Sequence, residues 1–183
     1  MSERLIPYQP MDLAEPAELV AAIRQRRGGQ FINLDRVLLH SVPIAKGWNH
    51  FIGEIRNNLS LDPKLRELAM CGVAVLNGAE YEFFHHAPPF KKAGGTEEQV
   101  QALRLIGQAN FPKNLFSQVE NDAADLTYQM TRNVKVDSEL MGRLQKDLGS
   151  THTVELVTVI AAYNMVSRFL IALDVNPEDH PPA

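Results

Sequence analysis

Residues 66–86 read RELAMCGVAVLNGAEYEFFHH. Small and branched apolar residues fill most of the stretch, as in a helix that forms part of a core, and Asn77-Gly78 cuts it in two. The segment therefore predicts two helices folded back on one another. Four ionisable side chains stand out inside this apolar setting: Glu67, Glu82, His85 and His86. Burying a carboxylate or an imidazole without a partner is costly, so such groups in a core are paired or used.

Outward from this hairpin, turn and cap signals divide the chain into further helices, with no convincing alternating strand. Asp62-Pro63 supplies an N-cap carboxylate followed by proline at the first helical position, and opens a helix through Leu76. The next helix is expected from Ala79 and to stop or kink at Pro88-Pro89, since the residue before a proline is pushed out of the helical region. Gly94-Gly95 closes that region, and Thr96 with Gln99 makes a capping box for the following helix. Upstream, Pro16 heads a helix that Gly28-Gly29 ends, a short helix is expected over 35–40 and a longer one over 44–59. Downstream, residues 111–114 read as looser chain, followed by helices over 117–132, 137–148 and 153–173 and a frayed tail, NPEDHPPA. A weak internal repeat, a helix beginning Glu67-Leu68 and another beginning Glu155-Leu156, suggests two similar helical hairpins packed on each other. The fold class expected is all-α, in one domain over 1–183 with its core over about 44–175.

Bulk properties exclude several classes of function. With 183 residues, 45% apolar and 22% charged, the chain is long enough for one well-buried domain. A net charge of -4 and short basic runs without interleaved aromatics argue against a nucleic-acid partner. Cys71 is the single cysteine, which rules out an internal disulfide and any CxxC motif. No apolar leader and no 18-residue apolar run is evident, so the expectation is no membrane contact and a cytoplasmic location.

Spacing nominates a site. Glu82 and His86 stand four residues apart on one helical face, and Tyr81 and His85 form a second such pair beside them. Both histidines fall in the last turn before the prolines, where the helix dipole favours imidazolium, and a neighbouring carboxylate adds to this. The fold-back at Asn77-Gly78 would bring Glu67 to the same place, giving a cluster suited to proton transfer or to weak binding of a divalent metal. The plainer alternative is a helix-surface ion pair of Glu82 with His86, with Glu67 capping or pairing with Arg66 or Lys64. Cys71, among Met70, Val73 and Ala74, reads as a small core residue before it reads as a nucleophile. Tyr163, Asn164 and Arg168 either line the pocket or satisfy buried backbone groups, Trp48 and His50 are packing, pocket-wall or interface residues, and Phe83 and Phe84 are core.

These motifs carry a family likeness. Arg66-Glu67-Leu68, Gly78-Ala79-Glu80-Tyr81-Glu82-Phe83 and His86 resemble the signature of the carboxymuconolactone decarboxylase family, in its GAEYE-type branch, and residues 154–175 resemble that family's closing helix. The resemblance implies the all-helical alkylhydroperoxidase-D-like fold, assembly as a dimer, trimer or hexamer, and a small-molecule substrate handled without a cofactor or resident metal. Thiol peroxidases of this fold carry a CxxC pair, and the corresponding positions here are Ala79 and Glu82, with Glu67 and His86 retained around them. A disulfide cycle needs an attacking thiolate and a resolving thiol, which Cys71 alone does not provide. What the resemblance implies instead is acid-base chemistry on a carboxylated or lactone-type compound. His86 would be the general acid or base, Glu82 its orienting partner and Glu67 a second proton-handling group, with Tyr81, Asn77, Trp48 and His85 as substrate-binding candidates. Most relatives continue the helix that Ala87-Pro88-Pro89 is expected to interrupt here. The alternatives are an alkylhydroperoxidase-related antioxidant protein and a non-catalytic oligomeric ligand-binding protein.

Overall fold

The computed structural model describes residues 6–178, which form α-helices and one 3-10 turn, with no strand among them. The chain divides into two compact units, one of Met1–Leu59 with Ala172–Ala183 and one of Ser60–Ile171.

The first unit holds α1 (Ala17–Arg27), α2 (Asn33–Leu38) and α3 (Val42–Asn57). Gly28, at φ 79°, ends α1 in the left-handed region as the Gly-Gly pair requires. The short helix starts two residues earlier than its sequence suggested, because Asp35, at its third position, reaches back to the Ile32 amide at 3.2 Å and fixes its head. That buried carboxylate also takes Arg27 Nε at 2.9 Å and Arg26 Nη2 at 3.3 Å. The tail is tied down as far as Glu178: the Asn33 amide donates to its carboxylate at 2.6 Å, the Asn176 amide donates to the Tyr8 hydroxyl at 3.2 Å, and Val175 is buried. The fraying expected from 176 onward thus does not apply to 176–178, and the remainder of that segment lies outside the described residues.

The second unit carries the stretch that nominated the site. Its helices are α4 (Pro63–Asn77), α5 (Glu80–Lys92), α6 (Glu97–Leu103), α7 (Gln118–Arg132) and α8 (Ser138–Ala172, whose last residue falls in the first unit), with the 3-10 turn at Lys113–Leu115. Asp62 caps α4, accepting from the Lys64 amide at 2.7 Å, and the Glu155 carboxylate holds the preceding bend through the Leu61 amide at 2.7 Å and the Ser60 amide at 3.2 Å. α4 packs mainly against α5 and α7. Gly78, at φ 70°, makes the fold-back: the Ala79 amide reaches Ala74 O at 2.8 Å and the Gly78 amide reaches Val75 O at 3.1 Å, so α4 closes and α5 starts within two residues. Thr96 and Gln99 form the expected capping box, and Ser117 with Glu120 forms another at the head of α7.

Two expectations need correction, the first in its stop at the prolines and the second in the apolar run. α5 does not stop at Pro88-Pro89 but runs through both to Lys92. The prolines remove two ladder donors, but the final turn is held by Phe90, which is fully buried, and by bonds from the Gly95 amide to Phe90 O at 2.9 Å and the Gly94 amide to Lys91 O at 3.0 Å. A β-carbon on Gly95 would lie 2.3 Å from the Phe90 ring, so glycine is what lets the ring seat there. His85 and His86 therefore sit mid-helix, away from the negative end of the dipole. Secondly, α8 is long and apolar enough to cross a membrane by length and composition, contrary to the reading that no such stretch exists. Half of its most apolar window is buried within the protein, and Leu156, Val159, Ile160, Val166 and Leu170 face inward as a core helix requires. The two helices expected over 137–148 and 153–173 are continuous except for one break at Gly149, where φ is 74° and ψ is 170°.

Candidate active site

Every member of the cluster lies on the α4–α5 hairpin. Glu67 is in the first half of α4, and Glu82 and His86 are one turn apart on α5, all three on faces directed into the second unit. Their exposures are 5%, 4% and 1%, so the pair of Glu82 and His86 is not a surface ion pair. His86 Nδ1 lies 2.6 Å from Glu67 Oε2, and its Nε2 lies 3.3 Å from Glu82 Oε2. Both nitrogens face carboxylate oxygens, and with those carboxylates ionised both contacts are favourable only when each nitrogen bears a proton. Burial opposes the charged imidazole, yet the hydrogen bonds and charges of Glu67 and Glu82 outweigh it and raise the His86 pKa above its ordinary 6.5. The other oxygen of Glu67 takes Arg66 Nη2 at 3.2 Å and Nε at 3.3 Å, so two cations offset two anions. Glu67 thus pairs with Arg66 and with His86 together, while Lys64 goes to Glu120 at 2.7 Å.

Tyr163, on α8, covers the imidazole: the two rings meet edge to face at 4.9 Å and 87°, and Tyr163 is buried. Next to it, Asn164 Oδ1 accepts from Asn77 at 3.1 Å and from Arg168 at 2.7 Å, and its amide donates to Thr131 Oγ1 at 3.0 Å. Asn77 is therefore part of a link between α4, α7 and α8. Tyr81 and His85 do meet, at 4.5 Å between centroids, with Phe84 edge-on to His85 at 5.2 Å. Trp48 and His50 belong to α3 in the first unit, Trp48 buried and His50 exposed. In that unit a groove of about 640 Å³ between α1 and α3 is lined by residues such as Glu18, Lys46, His50 and Glu54, and by none of Glu67, Glu82 and His86.

Cys71, one turn along α4 from Glu67, is fully buried. Burial first, then the charges of Glu67 and Glu82, push its thiol far above the ordinary value, and Arg104 only partly offsets them. At neutral pH it is a thiol, not a thiolate. The Arg104 guanidinium lies over the Phe83 ring, 4.0 Å from its centroid, and 3.4 Å from Glu80. Nothing in the local sequence signals its approach to this end of α5, because twenty-four residues separate Arg104 from Glu80.

Residues 43–110, which include the whole cluster, match the carboxymuconolactone decarboxylase family. The match spans that segment of the chain alone. It is similar to the protein YdfG of Bacillus subtilis strain 168, with 27% identity over 116 residues, or 62% of this chain and 76% of YdfG. Among solved structures it resembles a peroxidase-related protein from Silicibacter sp. TM1040, at TM-score 0.79 and 16% identity, covering 98% of this chain and 96% of that one. It also resembles a peroxidase-related protein with an alkylhydroperoxidase AhpD core from Ralstonia eutropha JMP134, at TM-score 0.78 and 13% identity, covering 97% and 95%. These likenesses show the AhpD-like, all-helical fold for this chain.

Proposed function

We propose that this protein is an acid-base enzyme acting on a small carboxylated or lactone-type compound, with His86 as its proton donor. The observation that carries this reading is the imidazole clamped between two buried carboxylates, at 2.6 Å and 3.3 Å. A group poised this way stores a proton in a site with little water and can release it when a substrate replaces one partner. The longer contact, to Glu82, is the one to yield. In a decarboxylation of this type the substrate carboxylate leaves as carbon dioxide, its bonding electron pair enters the ring as a dienolate, and a proton must reach carbon. His86 Nε2–H supplies that proton, Glu67 holds the ring by Nδ1, and Glu82 returns a proton to Nε2 from solvent. The GAEYE-type signature, in which Glu82 replaces a redox cysteine, supports the same chemistry, and the protonated, buried state of Cys71 argues against a thiol cycle.

The test is carbon dioxide release from carboxymuconolactone. Wild-type protein should turn the compound over, and His86→Ala should lower kcat by about 10²- to 10⁴-fold. That variant leaves two buried carboxylates facing each other, so circular dichroism must show it folded, and His86→Gln serves as a second variant of closer size. A folded His86 variant with undiminished turnover would sink the assignment of His86, and an inactive wild type would sink the substrate class.

A further inference from the structure

The α8 residues next to the cluster are unexplained by proton transfer itself. Tyr163 is buried, its ring edge-to-face with His86 at 4.9 Å and 87°. An imidazole that must aim Nδ1 at Glu67 and Nε2 at Glu82 has one useful ring plane, and rotation about its side-chain bonds breaks both contacts together. The carboxylates define that plane at two points, and an aromatic ring packed at right angles blocks the remaining rotation, because close-packed rings do not reorient without opening space. Tyr163 can do this only if α8 keeps its register against α4. Asn164 provides that register, bonding Asn77 on α4, Thr131 on α7, and Ile160 O and Arg168 on α8 itself. All four of its partners are polar groups that only an amide, with donors and an acceptor on one side chain, satisfies together.

We propose that Tyr163, held in register by Asn164, is a positioning residue that locks the His86 imidazole in the plane where both nitrogens meet their carboxylates. The proposal rests on the acid-base reading of the site for its catalytic consequence, but its structural content is independent of any substrate. The charged and titratable groups around His86 are Glu67 and Cys71 on α4, with Arg66 behind Glu67, Glu82 on α5, and Tyr163 on α8. Among these groups only Tyr163 is changed in the variants that test the proposal, and His86→Gln serves only to assign the resonance.

The readout is the proton on Nδ1. A hydrogen bond of 2.6 Å to a carboxylate should give a proton resonance far downfield of the amide envelope, identified by its loss in His86→Gln. Tyr163→Phe, which keeps the ring, should retain that resonance and its pH dependence. Tyr163→Leu, and Tyr163→Met as a variant that fills more of the space, should broaden or lose it while circular dichroism stays native. In turnover, the Leu and Met variants should lower kcat by tenfold or more with KM little changed, and the Phe variant should leave both near wild type. The proposal is overturned if a folded Leu or Met variant keeps the resonance with wild-type pH dependence, or if the Phe variant loses it. Should the protein prove inactive on carboxymuconolactone, the resonance alone decides, so failure of the positioning role and failure of the proposed function remain distinct.

Discussion

His86 is the residue at which stability and chemistry meet, because its proton is shared by the fold and by the reaction. Its pKa in the folded protein lies above the 6.5 of an unperturbed histidine, since two carboxylate bonds outweigh the effect of burial. The folded state therefore binds this proton more tightly than the unfolded chain. The resulting stabilisation is complete below the unfolded value of about 6.5 and is lost as pH rises through the folded one. Urea unfolding of the wild type above pH 6.5 should show stability falling by up to about 1.4 kcal/mol per pH unit across that window, and His86→Gln should lack this component. Equal slopes for the two proteins would remove the linkage. At this scale the sequence was readable where geometry is local. Four-residue spacing put Glu82 beside His86, and the Gly78 turn announced the approach of Glu67. It was not readable that His86 uses both nitrogens at once, and for Tyr163 the sequence left pocket-lining and backbone satisfaction both open, because the choice depends on how α8, far along the chain, packs.

Among the elements, α5 is where a local rule lost to packing. Two consecutive prolines ordinarily end a helix, yet the last turn of α5 persists because Phe90 has a buried seat and the Gly94-Gly95 closure satisfies the terminal carbonyls. The prolines still carry their penalty. Pro88 is exposed, so Pro88→Ala restores an amide to the ladder without removing core contacts, and should raise stability by about 1–2 kcal/mol after allowing for the freer unfolded chain. Denaturant midpoints at constant slope check this, and a neutral or lower midpoint would mean that the ring of Pro88 contributes packing of its own. The other helix boundaries were legible where a side chain caps them, as at Asp62, Thr96 and Ser117. They were least legible in α8, where Gly149 interrupts a helix that resumes at once.

At the level of the whole molecule, the first unit is assembled from both ends of the chain, with the second unit between them. The single domain expected from the sequence rests on chain length, and contacts between distant segments such as Asn33 and Glu178 leave no local signal. Glu178→Ala removes the acceptor of the Asn33 amide, a bond to a charged group worth about 1.5–3 kcal/mol. Amide exchange in α1 and α2 should accelerate, while core amides of α4 and α7 exchange at wild-type rates. Equal acceleration in both sets would mean that the two units open as one. The discontinuity also sets an order of events during synthesis. Residues 60–171 are all synthesised before the segment of chain that fastens α2, so the hairpin bearing Glu67, Glu82 and His86 can begin to fold while the first unit still lacks that tether.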